Sequence, residues 1–371
     1  MSSTVETNLS LGAREMAARY LNVPVGDLLI TRITGDASTR SYYRAQAGEA
    51  SVVIALYTEP FDEAECAGDR LMKLVSENPA AKLTFANDPC AHIEVTALFL
   101  EAGLPVPAVL AVSGADRAIL IEDVGDTKMQ DWLAGRAEAE AVEAYRRALR
   151  MVVRIQEATD LAVNSGSICS RLAFDEMKLK WELGFFFANY FNRYLGLRLD
   201  PATANAVQAD FKAICSELAA RPRVLTHRDY HTRNLMLRED DMYIIDYQDA
   251  RMGPVSYDVA SLLSDPYAGL DREVAGELVE YFIELKAASS MPLGDAEEFR
   301  RELELMTVQR MLKAIGTYSY QAAAMNNTVY VAYIEPALEA ASSSMESLGR
   351  FDRLRALLEE TKTSVLANQD R

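Results

Sequence analysis

Past the midpoint of the chain, a short stretch carries its densest group of polar side chains in an apolar setting. Residues 227–234 read His-Arg-Asp-Tyr-His-Thr-Arg-Asn, with an aspartate two residues after a histidine and an asparagine five residues after that aspartate. This is the spacing of loops that catalyse phosphoryl transfer. Asp246 follows the apolar run 243–245, so a strand would deliver its carboxylate to a cleft.

Phosphoryl transfer needs this set of side chains. One carboxylate orients the attacking hydroxyl, and an amide oxygen with a second carboxylate holds Mg²⁺ against the phosphates of ATP. Asp229, Asn234 and Asp246 are suited to these three roles in that order. Aspartate and asparagine also favour turns, so each residue alone is weak evidence. The three together favour a kinase.

The histidines of this stretch have a second possible use. His227 and His231 are spaced as zinc ligands, with Cys215 the nearest soft ligand, but no further histidine lies downstream, so zinc binding is the weaker interpretation. We expect His227 to bond the backbone of the loop instead. We expect Asp258, in the run 257–260, to support that loop and not to touch substrate.

Composition excludes several other classes of protein. The 371 residues favour two domains, and 38 Lys and Arg against 55 Asp and Glu give a net charge of −17. Such a charge repels nucleic acid and anionic membranes, so we expect neither as a partner, and no obligate protein partner is evident. The chain also has no Gly-Lys dipeptide and no G-x-S-x-G, H-E-x-x-H or G-x-G-x-x-G motif.

The cysteines and the N-terminus point to the cytoplasm. The four cysteines form no C-x-x-C pair, so we expect neither a zinc ribbon nor a disulfide framework. Residues 1–20 include four charged side chains, and no charge-free run is long enough to span a bilayer. We therefore expect a cytoplasmic protein without a targeting segment.

The first third of the chain is typical of a sheet with helices. β-Branched and aromatic runs predict five antiparallel strands, and charge-mixed runs predict three helices. The strands fall at 28–33, 41–44, 52–56, 108–112 and 118–121, and the helices at 11–21, 62–75 and 91–102.

From residue 128 onward the periodicity is helical, interrupted only by short apolar strands at 224–225, 235–237 and 243–245. The polar segment 122–127 predicts the boundary between a nucleotide-binding lobe, 1–124, and a catalytic and substrate-binding lobe, 125–371. Residues 342–344, three serines, are expected to mark a loop. The predicted helices are 137–158, 174–194, 202–219, 272–288, 296–320 and 348–366.

Over most of its length the chain resembles the aminoglycoside phosphotransferase-like, or choline-kinase-like, kinases of small molecules. That family commonly has the loop H-x-D-x-x-x-x-N and a metal-binding strand that ends in I-D-[FWY], and residues 227–234 and 245–247 match both. More narrowly, the chain is similar to the bacterial anomeric kinases of N-acetylmuramate and N-acetylglucosamine in peptidoglycan recycling. The stretches that carry this closer similarity are 35–44, 227–236, 245–254 and 309–316.

The resemblance implies an α+β, two-lobed, protein-kinase-like fold with a five-stranded antiparallel N-terminal sheet and a larger, mostly helical C-terminal lobe. It also implies ATP and Mg²⁺ as cofactors and the anomeric C1 hydroxyl of an amino sugar as acceptor. Two alternatives stay open: a kinase for an aminoglycoside, choline or another small alcohol, and a non-catalytic nucleotide-binding regulator.

The glycine-rich loop of kinases is reduced to one glycine, Gly35. The hairpin that follows it would have to cover the ATP phosphates with backbone N–H groups and the hydroxyls of Ser38 and Thr39. The strand at 52–56 lacks the lysine that pairs with these phosphates in kinases. Arg40 or Arg44 is the nearest substitute.

Two further features of the nucleotide site follow from the resemblance. The helix glutamate that normally pairs with the strand lysine would be Glu94, with no evident partner. Adenine would lie at the boundary segment 121–124, where backbone groups of Glu122 and Val124 can offer the donor and acceptor that its edge requires.

The helical half is expected to bind the acceptor. Glu182 lies beside Trp181 in an apolar helix, where a carboxylate needs a partner, either a sugar hydroxyl or a neighbouring arginine. Arg310 and Lys313 could receive the carboxylate of a muramate-type lactyl group. The net charge suits a cationic acceptor better than an anionic sugar, but net charge describes a surface and not a pocket.

Overall fold

The computed structural model describes residues 9–33, 40–66, 69–78 and 82–369. Its N-terminal part is a five-stranded sheet in which every neighbouring pair is antiparallel, in the order β1-β2-β3-β5-β4. The predicted five-stranded sheet is therefore confirmed. The strands are β1 (Leu29–Ile33), β2 (Ser41–Ala47), β3 (Ala50–Leu56), β4 (Val109–Ser113) and β5 (Ala118–Glu122).

The sheet is buried on both faces, which explains the continuous apolar run of β3. One face packs against α1 (Leu11–Leu21) through Ala13 and Ala17. The other face lies towards α3 (Pro89–Glu101), which begins where the Asp88 carboxylate caps its first N–H groups. A short 3₁₀ helix (Glu63–Cys66) and α2 (Asp69–Glu77) precede α3.

The expectation that the cysteines form no disulfide is wrong. Cys66 and Cys90 form a disulfide, whereas the cysteine spacing predicts none. The two residues are 24 apart in sequence and meet only because the end of the 3₁₀ helix packs on the first turn of α3. A tertiary contact of this kind leaves no local motif. Cys169 and Cys215 are buried thiols.

The C-terminal half is mostly helical. A turn of π-helix (Ala188–Tyr194) extends α8, and a 3₁₀ helix (Thr328–Tyr333) precedes α13. The helices are α4 (Met129–Leu133), α5 (Glu138–Glu157), α6 (Thr159–Asn164), α7 (Ile168–Arg171), α8 (Glu176–Phe187), α9 (Pro201–Ala219), α10 (Tyr257–Leu263), α11 (Arg272–Ala287), α12 (Ala296–Met325), α13 (Ile334–Leu348) and α14 (Asp352–Gln369).

Two small sheets lie among these helices, on either side of the polar stretch 227–234 in the sequence. The antiparallel pair β7 and β10 forms one of them, and β6, β8 and β9 form the other. The polar stretch 227–234 joins β7 to β8, and Asp246 lies just beyond β9. The strands are β6 (Thr127–Lys128), β7 (Arg223–Thr226), β8 (Leu235–Arg238), β9 (Asp241–Ile244) and β10 (Arg251–Pro254).

The last part of the chain departs from expectation. The serines at 342–344 lie inside α13 and not in a loop. The helix predicted at 348–366 is confirmed as α14, which begins at Asp352. Ser342 and Ser344 are buried in α13. Their small side chains allow close packing there, which outweighs the modest preference of serine for turns.

A close contact between α8 and α12 depends on Gly316. A Cβ atom added there would lie 2.7 Å from the Cα of Phe186, so the two helix backbones approach as only glycine permits. Residues 309–316 therefore include a packing glycine as well as three polar side chains that face α8 or Asp229.

We expect Gly316→Ala to lower the free energy of unfolding by about 1–3 kcal/mol, because the added methyl group forces α8 and α12 apart. Gly276 is the matched control. It is exposed within α11 with no atom within 4 Å of an added Cβ, so alanine there is expected to stabilise the helix by about 0.5–1 kcal/mol. Urea unfolding of both variants checks this, and equal effects at the two sites would contradict it.

In the described ranges, no helix is long and apolar enough to cross a membrane.

Candidate active site

Two buried carboxylates accept hydrogen bonds from the loop between β7 and β8. Asp258, at the start of α10, accepts hydrogen bonds from the backbone N–H groups of His227 and Arg228 at 2.7 and 3.1 Å. Asp265 accepts from Thr232 N at 2.9 Å. The ring Nε2 of His227 lies 2.9 Å from the carbonyl oxygen of Ile245. The predicted support of the loop by Asp258 is thus confirmed, whereas the ring of His227 contacts the backbone next to Asp246 and not that of the loop.

Two residues of the site have positive φ values without being glycine. Arg228 has φ +88° and Asp246 has φ +62°. Such conformations cost free energy and persist where surrounding contacts impose them. Here the carboxylate of Asp258 holds the Arg228 N–H, and the bent backbone turns the side chain of Asp246 out of the strand direction.

Asp229 is surrounded by cations. Lys313 Nζ donates to Asp229 Oδ1 at 2.9 Å, Arg310 Nη2 lies 3.6 Å from the same oxygen, and Arg228 Nη1 lies 3.8 Å from Oδ2. Burial by itself raises the pKa of the Asp229 carboxyl. The neighbouring cations, Lys313 foremost, outweigh that effect and hold the pKa well below its usual value. The carboxylate is therefore ionised, and the hydrogen bond from Lys313 holds it in place.

The sequence analysis assigned Arg310 and Lys313 to the acceptor, and in the structure both lie beside the carboxylate of Asp229. Arg310 is buried, with Nη1 donating to Tyr257 OH and Nη2 to Ser261 Oγ, each at 2.8 Å. Contact of either residue with an acceptor remains a prediction.

Asn234 and Asp246 present oxygen atoms as Mg²⁺ requires. Asn234 Nδ2 donates to the carbonyl oxygen of Asp229 at 2.9 Å, which leaves the amide oxygen pointing the other way. Arg40 Nη2 and Gln248 Nε2 both donate to Asp246 Oδ1, at 3.0 and 2.8 Å. No hydrogen bond from the described part of the chain reaches Oδ2, and the side chain of Asp246 is 44% exposed.

The two residues are also tied together. The N–H of Ile245, next to Asp246, donates to the carbonyl of Asn234 at 3.0 Å. Among the described residues, no group of three or more His, Cys, Asp or Glu side chains could hold a metal ion. An amide and one carboxylate fit Mg²⁺ bound together with a nucleotide, since this ion takes one or two protein ligands and completes its shell with phosphates and water.

Arg40 contacts Asp246, one of the two predicted metal ligands. Its guanidinium is buried, 7% exposed, and pairs with Asp246. Tyr57 also contacts Arg40, and the Tyr57 hydroxyl lies 2.8 Å from His92 Nδ1 on α3. Burial, and after it Arg40, lowers the pKa of His92 to about 3, so this ring is neutral.

Arg44 is engaged elsewhere. Its guanidinium donates to Asp123 Oδ2 at 2.6 Å and to Asp126 Oδ2 at 2.7 Å, in the segment that joins the two lobes. Of the two arginines proposed to replace the strand lysine, Arg40 is therefore the one that contacts Asp246, a predicted metal ligand. Glu94 has a partner after all: it accepts hydrogen bonds from Ser167 Oγ and Ile168 N, both at 2.7 Å, at the start of α7.

Five further residues are predicted to contact the nucleotide, and the structure describes two of them. Gly35, Ser38 and Thr39 lie outside the described residues. Glu122 ends β5, and Val124 lies beyond the sheet in the segment between the lobes. The Asp123 carbonyl between them already accepts a hydrogen bond from Arg238 Nη1 at 2.9 Å. Adenine contact with Glu122 and Val124 remains a prediction.

Glu182 has partners that the sequence analysis did not foresee. Lys178, one turn earlier on α8, pairs with it at 3.6 Å, and Gln309 Nε2 on α12 donates to its Oε2 at 2.8 Å. The neighbouring arginine expected as a possible partner is replaced by a lysine and an amide. Trp181 is 37% exposed, with the Lys178 ammonium 4.6 Å from the ring centre.

A second carboxylate of the site, Asp249, was also missed. It pairs with Arg228 and with the fully buried Arg251, and it accepts from Thr84 Oγ1 and Phe85 N at 2.5 Å each. Asp249 thus ties the catalytic loop to the segment before α3. The only signal in the sequence is that Asp249 and Arg251 follow Asp246 within a stretch typical of the family.

The fold combines a five-stranded lobe with a helical lobe, and Asp229, Asn234 and Asp246 follow strands of the two small sheets. This arrangement is that of a kinase-like phosphotransferase of small molecules. Residues 29–292 match the model of the phosphotransferase enzyme family, and the chain belongs to that family. It is an ATP-dependent phosphotransferase with an alcohol group as acceptor.

Curated relatives agree with this assignment. The chain is 30% identical over 309 residues to the N-acetylmuramate/N-acetylglucosamine kinase of Pseudomonas aeruginosa, covering 82% of this chain and 79% of that protein. It is 27% identical over 298 residues to the kinase of the same name from Neisseria meningitidis, covering 80% and 79%.

Solved structures share the fold. A putative aminoglycoside phosphotransferase from Ralstonia eutropha superimposes with a TM-score of 0.57 at 13% identity, over 92% of this chain and 99% of that one. A choline/ethanolamine kinase family protein from Mesorhizobium loti gives 0.55 at 16% identity, over 94% and 98%. The two-lobed α+β fold is confirmed, and at this identity the likeness extends to the fold alone.

Proposed function

We propose that this enzyme transfers the γ-phosphate of ATP to the anomeric C1 hydroxyl of N-acetylmuramate or N-acetylglucosamine, in the recycling of peptidoglycan. The observation that carries the proposal is the contact of Asp229 with Lys313 and Arg310, which lie in the stretch 309–316 that resembles the anomeric kinases. The names of the curated relatives support the same acceptor.

The residues divide the work of in-line transfer. Asp229 accepts a hydrogen bond from the acceptor hydroxyl and directs its oxygen at the γ-phosphate. Lys313, on the same carboxylate, lies where it can also stabilise the charge of the transferring group. Asn234 and Asp246 would hold Mg²⁺, which when bound neutralises phosphate charge. Arg40 adds a cation beside Asp246.

The charge around Asp229 favours an anionic acceptor over a polycationic one. Among the described residues, one ion-pair network joins the carboxylates of Asp229 and Asp249 to four cations. The network therefore has an excess of positive charge, although the chain as a whole carries −17. An aminoglycoside brought to Asp229 would face cations, whereas a phosphate or a lactyl carboxylate would be attracted. The cations are Arg228, Arg251, Arg310 and Lys313.

The non-catalytic alternative finds no support in this geometry. Asp229, Asn234 and Asp246 are all present, and backbone contacts link Asn234 to Asp229 and to Ile245. Arg40, which pairs with Asp246, is the cation proposed in place of the missing strand lysine. A cytoplasmic location belongs to the same proposal, because ATP is the phosphate donor.

A panel of acceptors tests the proposal. We expect Mg²⁺-dependent ATP consumption with N-acetylglucosamine and N-acetylmuramate, and none above background with an aminoglycoside or choline. Kinases of amino sugars, aminoglycosides and choline share the same catalytic residues, and we expect the charge around Asp229 to separate their acceptors. The panel therefore discriminates between these three kinds of kinase. Consumption with the aminoglycoside alone would contradict the amino-sugar assignment and leave the phosphotransferase intact.

A further inference from the structure

The two oxygens of the Asp229 carboxylate have different surroundings. Oδ1 receives the hydrogen bond from Lys313, and Arg310 lies 3.6 Å from it. No hydrogen bond from the described part of the chain reaches Oδ2, and the guanidinium of Arg228 lies 3.8 Å from that oxygen. The Asp229 side chain is 24% exposed. Oδ2 is therefore the oxygen with unused capacity for a hydrogen bond from an acceptor hydroxyl.

One nitrogen of Arg228 lies between two carboxylates. Arg228 Nη1 donates to Asp249 Oδ2 and lies 3.8 Å from Asp229 Oδ2, which is beyond hydrogen-bond distance. A shift of about 1 Å towards Asp229 would be enough to form that second hydrogen bond. A guanidinium bonded there would compete with the acceptor hydroxyl, because hydrogen bonds between two charged groups are the stronger ones. The carboxylate that holds Arg228 therefore decides whether Oδ2 stays open.

The carboxylate of Asp249 is itself held by several donors. Its side chain is 5% exposed, Phe85 N donates to Oδ1 at 2.5 Å, and Thr84 Oγ1 donates to Oδ2 at 2.5 Å. The fully buried Arg251 lies 3.5 Å from Oδ1. Burial raises the pKa of the Asp249 carboxyl, but Arg228 and Arg251 outweigh that effect and hold the pKa below its usual value. Asp249 is thus a fixed negative charge beside Arg228.

We propose that Asp249 is a positioning residue, which holds the guanidinium of Arg228 away from Asp229 Oδ2 and so keeps that oxygen open to the acceptor hydroxyl. This inference rests on the proposed function, in which Asp229 orients that hydroxyl. Asp249 does not touch the substrate and acts through Arg228. Its donors Thr84 and Phe85 lie shortly before α3, so the N-terminal half of the chain contributes to the state of the catalytic carboxylate.

The test is a cycle of substitutions at positions 249 and 228, assayed with N-acetylglucosamine and ATP. Asp249→Asn keeps the shape of the side chain and an oxygen for the N–H of Phe85, but it removes the charge that holds Arg228. We expect kcat to fall at least about tenfold, because Arg228 then pairs with Asp229 Oδ2. The KM for ATP is expected to stay within about twofold of the wild-type value, since no nucleotide contact is assigned to Asp249.

Removal of Arg228 separates this role from a purely structural one. In the double variant Arg228→Met with Asp249→Asn the competing guanidinium is absent, so kcat is expected to be at least about fivefold above that of Asp249→Asn alone. If Asp249 served only to anchor the segment before α3, its substitution would cost the same with either residue at position 228. A double variant no faster than Asp249→Asn would overturn the inference and leave the kinase activity standing.

A second comparison covers the case in which Asp249→Asn alone does not fold, since that variant leaves buried arginines with less compensating charge. Once Arg228→Met is in place, the further substitution Asp249→Asn is expected to change kcat by less than about twofold, and a tenfold loss would overturn the inference.

Thr84→Val is the matched control. It removes one donor of Asp249 from an exposed position and leaves the pair with Arg228 intact, so kcat is expected to stay within about twofold of the wild type. A loss as large as that of Asp249→Asn would show that the anchoring of the segment, and not the charge on Arg228, matters, and would overturn the inference. A wild-type enzyme that does not phosphorylate N-acetylglucosamine would overturn the proposed function and this inference with it.

Discussion

Asp229→Asn should reduce turnover by at least about a hundredfold while the affinity for ATP stays the same. The substitution keeps the size of the side chain and removes the charged oxygen that orients the acceptor hydroxyl. Because the proposal assigns Asp229 to the acceptor, we expect the substitution to keep the contacts with the nucleotide. Steady-state kinetics and calorimetric titration of Mg²⁺ with ATP measure the two quantities separately.

The matched control for this substitution is Asp240→Asn. Asp240 is an exposed residue in the turn between β8 and β9, close in sequence to the site but outside it. It should retain the wild-type rate. Thermal unfolding of Asp229→Asn checks that the loop survives, because Asp258 still holds the N–H groups of His227 and Arg228. Nearly full activity in a folded Asp229→Asn protein would remove Asp229 from catalysis.

Asp246→Ala should abolish Mg²⁺-dependent binding of ATP. The carboxylate offers an exposed Oδ2 to the ion, and without it the charge of the phosphates is not compensated at this position. The variant also removes the ion pair between Asp246 and the buried Arg40, which keeps its contact with Tyr57. Calorimetry with ATP, with and without Mg²⁺, is the measurement, and we expect the effect of Mg²⁺ to disappear.

Asp241→Ala is the control on the same hairpin. Asp241 begins β9, its side chain is 73% exposed, and it pairs only loosely with Arg147 at 3.6 Å. Its removal should leave Mg²⁺·ATP affinity unchanged. If the Asp246→Ala protein bound Mg²⁺·ATP as tightly as the wild type, Asp246 would not be a metal ligand.

The sequence predicted those features that local patterns determine. The β-branched and aromatic runs placed all five strands of the sheet to within a few residues, because strand preference and alternate burial are properties of neighbouring residues. The fixed spacing from His227 to Asn234 identified the segment between β7 and β8 as the candidate catalytic loop. It did so because the loop is short and each role needs a particular side chain.

What the sequence did not predict depends on contacts between distant segments. The Cys66–Cys90 disulfide, the pairing of Arg40 with Asp246 and the cluster around Glu182 each join parts of the chain that only the fold brings together. The serines of α13 were misjudged for the same reason. Their turn preference is local, and the packing that outweighs it is not.

The position of the transferred phosphate tests most directly whether the C1 hydroxyl of the sugar is the acceptor. With N-acetylglucosamine and ATP, phosphorus NMR should show a sugar phosphate coupled to the anomeric proton, and the methyl glycoside of the same sugar should not be phosphorylated. In-line transfer requires the acceptor oxygen beside Asp229, and a methylated C1 oxygen has neither a proton to give up nor room for its methyl group. Phosphorus coupled to the C6 protons, or turnover of the methyl glycoside, would contradict the assignment of C1 as the site of transfer.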